Sequence, residues 1–223
     1  MRIYLIRHGD PDYSTDSLTA SGSSEAEELA KFVGTLNLDK IYTSPLGRAR
    51  ETASYSETVL GMKAEVLEWT SELKLRATDG SDLAAWDMNP ESLRDPEIRD
   101  DEAWHQALQK IVKESDVWLE RFGWKRSGYC YRYVAGAKVP RGVQVALFCH
   151  GGFGLTWLSH LLNIPMRLMW SSFFLHTSSV TTILFDERSQ LTATPRVISL
   201  SALSHLYKRG IAPSTAGIKA NYF

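Results

Sequence analysis

The chain has 223 residues with 43% hydrophobic and 23% charged side chains, 2 cysteines and a formal net charge of −1. That length carries one good core, so a single domain over 1–223 is expected, and the charge excludes a basic field for nucleic acid or an anionic membrane. No apolar run spans a bilayer, the N-terminus runs straight into a strand without a signal pattern, and Cys130 and Cys149 make neither a disulfide framework nor a zinc site, so the default is a cytoplasmic protein.

Ile3 to Ile6 reads as a buried strand that stops at Arg7-His8-Gly9. Gly9 lets the backbone turn sharply and come close to a ligand. Asp10-Pro11-Asp12 follows in a polar loop. An aspartate-nucleophile phosphatase would carry such a pair, but the strand ends three residues too early and Pro11 divides the acids, so they are read as turning the loop. Ser24-x-x-Glu27 has the form of a capping box, and Ala26, Leu29, Ala30, Val33 and Leu36 follow at helical spacing.

Lys40 to Ser44 reads as a second strand. Ser44-Pro45 reads as a helix start, with the helix running to Leu60 and stopping at Gly61. Arg48 falls in its first turn, over the end of the preceding strand. Lys63 to Trp69 is expected as a third strand, with two acids, Glu68 and Glu72, near its carboxyl end.

From about 76 to 142 the strand–helix alternation breaks. Asp100 to Trp124 is expected as an amphipathic helix with the stripe Trp104, Leu108, Ile111, Val112, Trp118, Leu119 and Phe122. Gly123 to Gly136 is read as aromatic and irregular, and the whole stretch as a lid over the strand ends that sets substrate choice. Val143 to Cys149 is the most apolar strand, as a central one should be, and ends at His150-Gly151-Gly152 before a leucine-rich helix. Neither a G-x-G-x-x-G nor a G-x-x-x-x-G-K-[ST] phosphate loop is present. Cys149 is read as a buried structural thiol. Ser178 to Phe185 and Arg196 to Leu200 complete the strands, and His176 and His205 are read as structural or rim residues. The tail from Ala212 is read as packing on the body or on a partner.

The alternation points to an α/β fold: a three-layer sandwich with a mostly parallel central sheet flanked by helices, plus the lid. Ligands in such sheets collect beyond the carboxyl ends of the strands. Arg7, His8, Arg48 and His150 come from three strand ends that should share one edge. Two guanidiniums and two imidazoles facing inward make an anion site whose planar forks suit phosphate. A histidine held neutral among cations keeps a nucleophilic nitrogen. Phosphoryl transfer needs mainly positioning and charge stabilisation, which this set supplies without a metal or other cofactor.

Leu5-Ile6-Arg7-His8-Gly9 resembles the opening of the histidine phosphatase, or phosphoglycerate mutase-like, superfamily. Leu18-Thr19-Ala20-Ser21-Gly22 resembles its second segment, and Tyr42 to Ala53 is very similar to the segment with the second arginine. Cys149-His150-Gly151-Gly152 and Leu203-Ser204-His205-Leu206 resemble its second histidine motif and its ending. The resemblance implies that His8 takes the phosphoryl group, that Arg7, Arg48 and His150 hold its oxygens, and that an acid protonates the leaving oxygen. Glu72 is the choice for that acid by order and spacing, with Glu68 as the fallback; Trp69 and Leu73 would supply apolar surroundings that keep a carboxyl neutral.

Asp10-Pro11-Asp12-Tyr13-Ser14 and Thr70-Ser71-Glu72-Leu73-Lys74 depart from the mutase pattern. Both departures favour phosphatase over mutase, and the insertion favours a small or mid-sized phosphate ester. Mutase-type transfer is the enzyme alternative. A phosphoester-binding or scaffold protein that has lost catalysis is the alternative of another class.

Overall fold

The computed structural model describes residues 1–73, 75–76, 82–83, 102–134, 142–189 and 191–218. Eight strands form one sheet: β1 (Arg2–Arg7), β2 (Lys40–Thr43), β3 (Glu65–Val66), β4 (Trp124–Ser127), β5 (Cys130–Tyr133), β6 (Gln144–Cys149), β7 (Val180–Ser189) and β8 (Thr192–Ala202). Their spatial order is β3-β2-β6-β1-β7-β8-β5-β4. The half that carries the strand-end motifs, β3-β2-β6-β1, is parallel throughout; the other strands join antiparallel.

The helices are α1 (Ala20–Val33), α2 (Gly47–Leu60), α3 (Glu102–Glu120), α4 (Gly151–Leu162), α5 (Met166–Ser172) and α6 (Ser204–Tyr207). Alternation along the central strands makes the three layers. Ile3 and Leu5 of β1, with Val145, Leu147 and Cys149 of β6, enter one core with Trp118, Phe122, Phe153 and Trp157. Tyr4, Ile6, Ala146 and Phe148 enter the other, against Leu29, Val33 and Ala53. Both faces of a central parallel strand are covered, which is why these strands read as unbroken apolar runs.

The first core is built on aromatic edges. Trp157 is fully buried and meets Trp69 at 5.7 Å and Trp118 at 5.8 Å between ring centroids, both T-shaped. Its Nε1–H donates to Ser115 Oγ at 2.7 Å. Such pairs are worth about 0.5–1.5 kcal/mol each beyond the area they bury.

Several boundaries differ from the sequence expectations. The N-cap of α1 is Thr19, whose hydroxyl accepts from the Gly22 amide; Ser24 lies one turn inside and donates to Ala20 O. The N-cap of α2 is Leu46, because Ser44 turns its hydroxyl to His150 instead. The third strand keeps only Glu65–Val66 before a 3-10 turn, Glu68–Thr70. The stretch from Gly123, expected to be irregular, holds the hairpin β4–β5, turned at Gly128 with φ 62° and added to the sheet edge along β8. Trp124 and Tyr131 are buried there against Phe185, so this part of the insertion is core. Residues 77–81, 84–101 and 135–141, also within the expected lid, lie outside the described residues. No helix among the described residues is long and apolar enough to cross a membrane.

Candidate active site

Register brings the site together. Arg7 pairs with Cys149, and Phe148 with Thr43, so β1, β6 and β2 end side by side. His8, His150 and Ser44 are the next residues on each strand. The His8 amide donates to Cys149 O at 2.9 Å and the Ser44 amide to Phe148 O at 2.9 Å, which carries the alignment past the strand ends.

His8 is 1% exposed. Its Nδ1 lies 2.7 Å from Gly9 O, and a carbonyl can only accept, so Nδ1 carries the proton. Nε2 therefore holds the lone pair, and it accepts from Arg48 Nε at 3.2 Å. Burial, with the Arg7 and then the Arg48 charge, holds the ring far below the usual imidazole range against the Gly9 bond. The result is a neutral imidazole with one fixed tautomer and its basic nitrogen among cations.

His150 is fully buried, and its ring centroid is 5.2 Å from that of His8. Nε2 lies 2.7 Å from Ser44 Oγ. That hydroxyl also accepts from Leu46 N at 3.3 Å. The ring's other nitrogen, Nδ1, is buried with no hydrogen-bond partner among the described residues. Burial and the neighbouring His8, Arg48 and Arg7 keep this ring neutral too.

Arg7 is 2% exposed. It donates to Leu175 O at 2.5 Å and lies 5.6 Å from the Phe174 ring centroid. Gly151 packs against its guanidinium, where an added Cβ would stand 3.5 Å from Cζ. Arg48 projects from the first turn of α2 beneath the Tyr13 ring, 5.4 Å from its centroid, and pairs with Asp16.

Glu72 reaches the start of α4. Its Oε1 accepts from Phe153 N at 2.7 Å and Leu73 N at 3.0 Å, and its Oε2 from Gly152 N at 3.1 Å. It thus caps a helix whose N-cap, His150, makes no side-chain cap bond. Its carboxyl group faces the positive end of the helix dipole. The expected apolar surroundings are not what its oxygens meet: Trp69 turns into the core against Phe153, and the carboxylate touches amides. Glu68 is exposed.

The loop acids turn the backbone as expected. Asp12 accepts from the Ser14 amide at 2.9 Å, and Asp10 accepts from Thr19 Oγ1 at 2.7 Å. The described part of the tail, to residue 218, meets the body where Ser214 Oγ donates to Asp10. His205 is buried beside Phe32 and Ser178, and His176 stands part-exposed near Arg7. Cys149 is fully buried and its thiol is pushed well up. Gly9 makes a close approach to Gly22, where a Cβ would stand 2.7 Å from the carbonyl oxygen.

Sequence reasoning missed Asp16, Thr52 and Glu25. Thr52 accepts from Gly9 N at 3.0 Å and donates to Arg48 O at 2.7 Å, tying the two motifs together. Glu25 is fully buried and accepts from Asp10 N at 3.0 Å and Thr177 Oγ1 at 3.2 Å. All three look like ordinary polar residues of a loop or helix, and no periodicity marks them. Among the described residues no group of three or more His, Cys, Asp or Glu is arranged to hold a metal ion.

The model of the histidine phosphatase superfamily (branch 1) matches residues 3–194. A probable phosphoglycerate mutase of Klebsiella pneumoniae (strain 342) is 25% identical over 175 residues, covering 74% of this chain and 76% of the relative. A phosphoserine phosphatase mutant of Entamoeba histolytica, in complex with phosphoserine, superposes with a TM-score of 0.64 at 20% identity, over 92% of this chain and 98% of that one. A putative alpha-ribazole-5'-P phosphatase of Escherichia coli gives a TM-score of 0.64 at 19% identity, over 91% and 98%.

Proposed function

The chain belongs to the histidine phosphatase superfamily, branch 1, and on that premise we propose that it is a metal-independent phosphomonoesterase that hydrolyses a small phosphate ester through a phosphohistidine. The observation that carries this reading is the His8 Nε2 lone pair, fixed by the Gly9 bond and set beside Arg48 with Arg7 close by.

The ester's phosphoryl oxygens lie between Arg7, Arg48 and the imidazole of His150. These donors are preorganised and shielded from water, where they stabilise charge best. Arg48 Nε passes from His8 to a phosphoryl oxygen. The freed Nε2 pair forms a bond to phosphorus while the ester P–O bond breaks and its electrons go to the leaving oxygen. Glu72, which must enter this step protonated, gives that oxygen a proton. A water molecule then attacks phosphorus and returns a proton to Glu72, and the P–N pair goes back to Nε2. In a mutase-type reaction a second alcohol takes the place of that water. The Klebsiella relative's name favours this second reading, whereas the phosphatase names among the solved structures accompany similarity of fold.

The test is turnover of an aryl phosphate with a chelator present, by the wild type, His8→Ala and Glu72→Gln, alongside an alkyl phosphate. Wild-type turnover should resist the chelator and His8→Ala should abolish it. Glu72→Gln should lower kcat on the alkyl ester by about 10²–10⁴ and far less on the aryl ester, whose leaving group needs no proton. Equal losses on both esters would remove Glu72 from the role of acid. Transfer to added alcohols that outruns hydrolysis would favour the mutase reading, and ligand binding without turnover a scaffold.

A further inference from the structure

We propose that Asp16 is a positioning residue: it holds the Arg48 guanidinium against Nε2 of His8 and so sets where the phosphoryl group lands. The consequence for phosphate rests on the phosphatase reading above; the geometry does not.

Asp16 lies in the loop between β1 and α1 with φ 52°, a left-handed conformation that aspartate tolerates better than most residues. Its two oxygens do separate work. Oδ2 accepts from Gly47 N at 2.6 Å, and Oδ1 accepts from Arg48 Nη1. Gly47 is the first residue of α2, whose N-cap Leu46 has no side chain to offer the helix. One carboxylate therefore fixes the start of the helix and the arginine that projects from it. The approach is close enough that a Cβ on Gly47 would overlap the Asp16 carbonyl.

The Arg48 side chain is 9% exposed, and Asp16 is its ion-pair partner among the described residues. Among the described residues it also bonds His8 and lies against the Tyr13 ring. A nearly buried cation that loses its counter-charge leaves one geometry for another with better solvation. Asp16 is thereby the contact that keeps the Nε–H edge of Arg48 turned to His8.

A negative charge beside an anion site has a second, opposite effect, because it lowers the local positive field. The two effects give opposite predictions. If Asp16 acts only through its charge, removing it tightens phosphate binding. If it positions Arg48, removing it weakens binding.

The experiment compares wild type, Asp16→Asn and Asp16→Ala at neutral pH in affinity for inorganic phosphate and in the ¹⁵N shift of His8 Nε2 without phosphate. Asn keeps one acceptor oxygen and Ala none, while both lack the charge. We expect phosphate binding about tenfold weaker in Asp16→Ala, the scale of one charge-assisted hydrogen bond, with Asp16→Asn intermediate. The Nε2 signal should move toward that of a nitrogen without a hydrogen bond. Unchanged or tighter binding in Asp16→Ala, or an unchanged Nε2 signal, would overturn the proposal. Failure of the wild type itself to bind phosphate sinks the phosphatase reading instead, and the Nε2 shift still decides whether Asp16 holds Arg48.

Discussion

His8 and His150 are neutral because burial penalises their charged forms and the cations around them add to that penalty. This has two measurable consequences. In a ring ¹⁵N or ¹³C titration, neither should take up a proton as pH falls through about 6.5, where an ordinary imidazole is half protonated. Stability should fall over the same interval. The unfolded chain gains protons there on histidines that the native state keeps neutral, so the unfolded state binds more protons and unfolding becomes easier as pH drops. His205, lowered to about 4 by its burial beside Phe32, adds to this loss between about pH 6.5 and 4. A melting temperature that stays flat from pH 7 to 5 would contradict it.

At the scale of elements, the site depends on loops packed backbone to backbone. Gly9 and Gly22 are in contact, and a Cβ on Gly22 would overlap the Asp10 carbonyl. That pressure falls on main chain, which cannot rotate away as a side chain does. Gly22→Ala is therefore expected to displace the Gly9–Asp10 loop and with it the Gly9 carbonyl that fixes the His8 tautomer. Turnover should drop at least tenfold, a shift of about 1.4 kcal/mol in barrier, and the protein should melt earlier. Ser23→Ala, one residue along the same helix, is the control and should leave both near wild type. Glu72 shows the same economy at α4, where it supplies the cap that His150 leaves out.

At the scale of the molecule, the sheet continues past the parallel half into the β4–β5 hairpin, which a strand–helix reading assigns to a lid. Trp124 is 2% exposed against Tyr133 and Phe185. Trp124→Ala should cost about 3–5 kcal/mol of stability, as loss of a large buried aromatic does, while KM for a small ester stays near wild type. A large change in KM with little change in denaturation midpoint would return the hairpin to the lid.

The strand ends that carry the chemistry were legible in the sequence because the chain announces them locally. Ile3–Ile6 and Val143–Cys149 are apolar runs that stop at Arg7-His8-Gly9 and His150-Gly151, and an open α/β sheet gathers such ends at one edge. The β4–β5 pairing was not legible, since a short aromatic hairpin has no fixed period and finds its partner strand, β8, far along the chain. Asp16 was not legible either. A loop aspartate is written the same way whether it faces water or a buried guanidinium, and only folding brings it to Arg48 and to the amide of Gly47. Local pattern was enough to say which residue types stand at the ends of the strands. Which nitrogen of His8 faces the cations, and what holds the arginine against it, follows from the fold, because those contacts join residues distant in the chain.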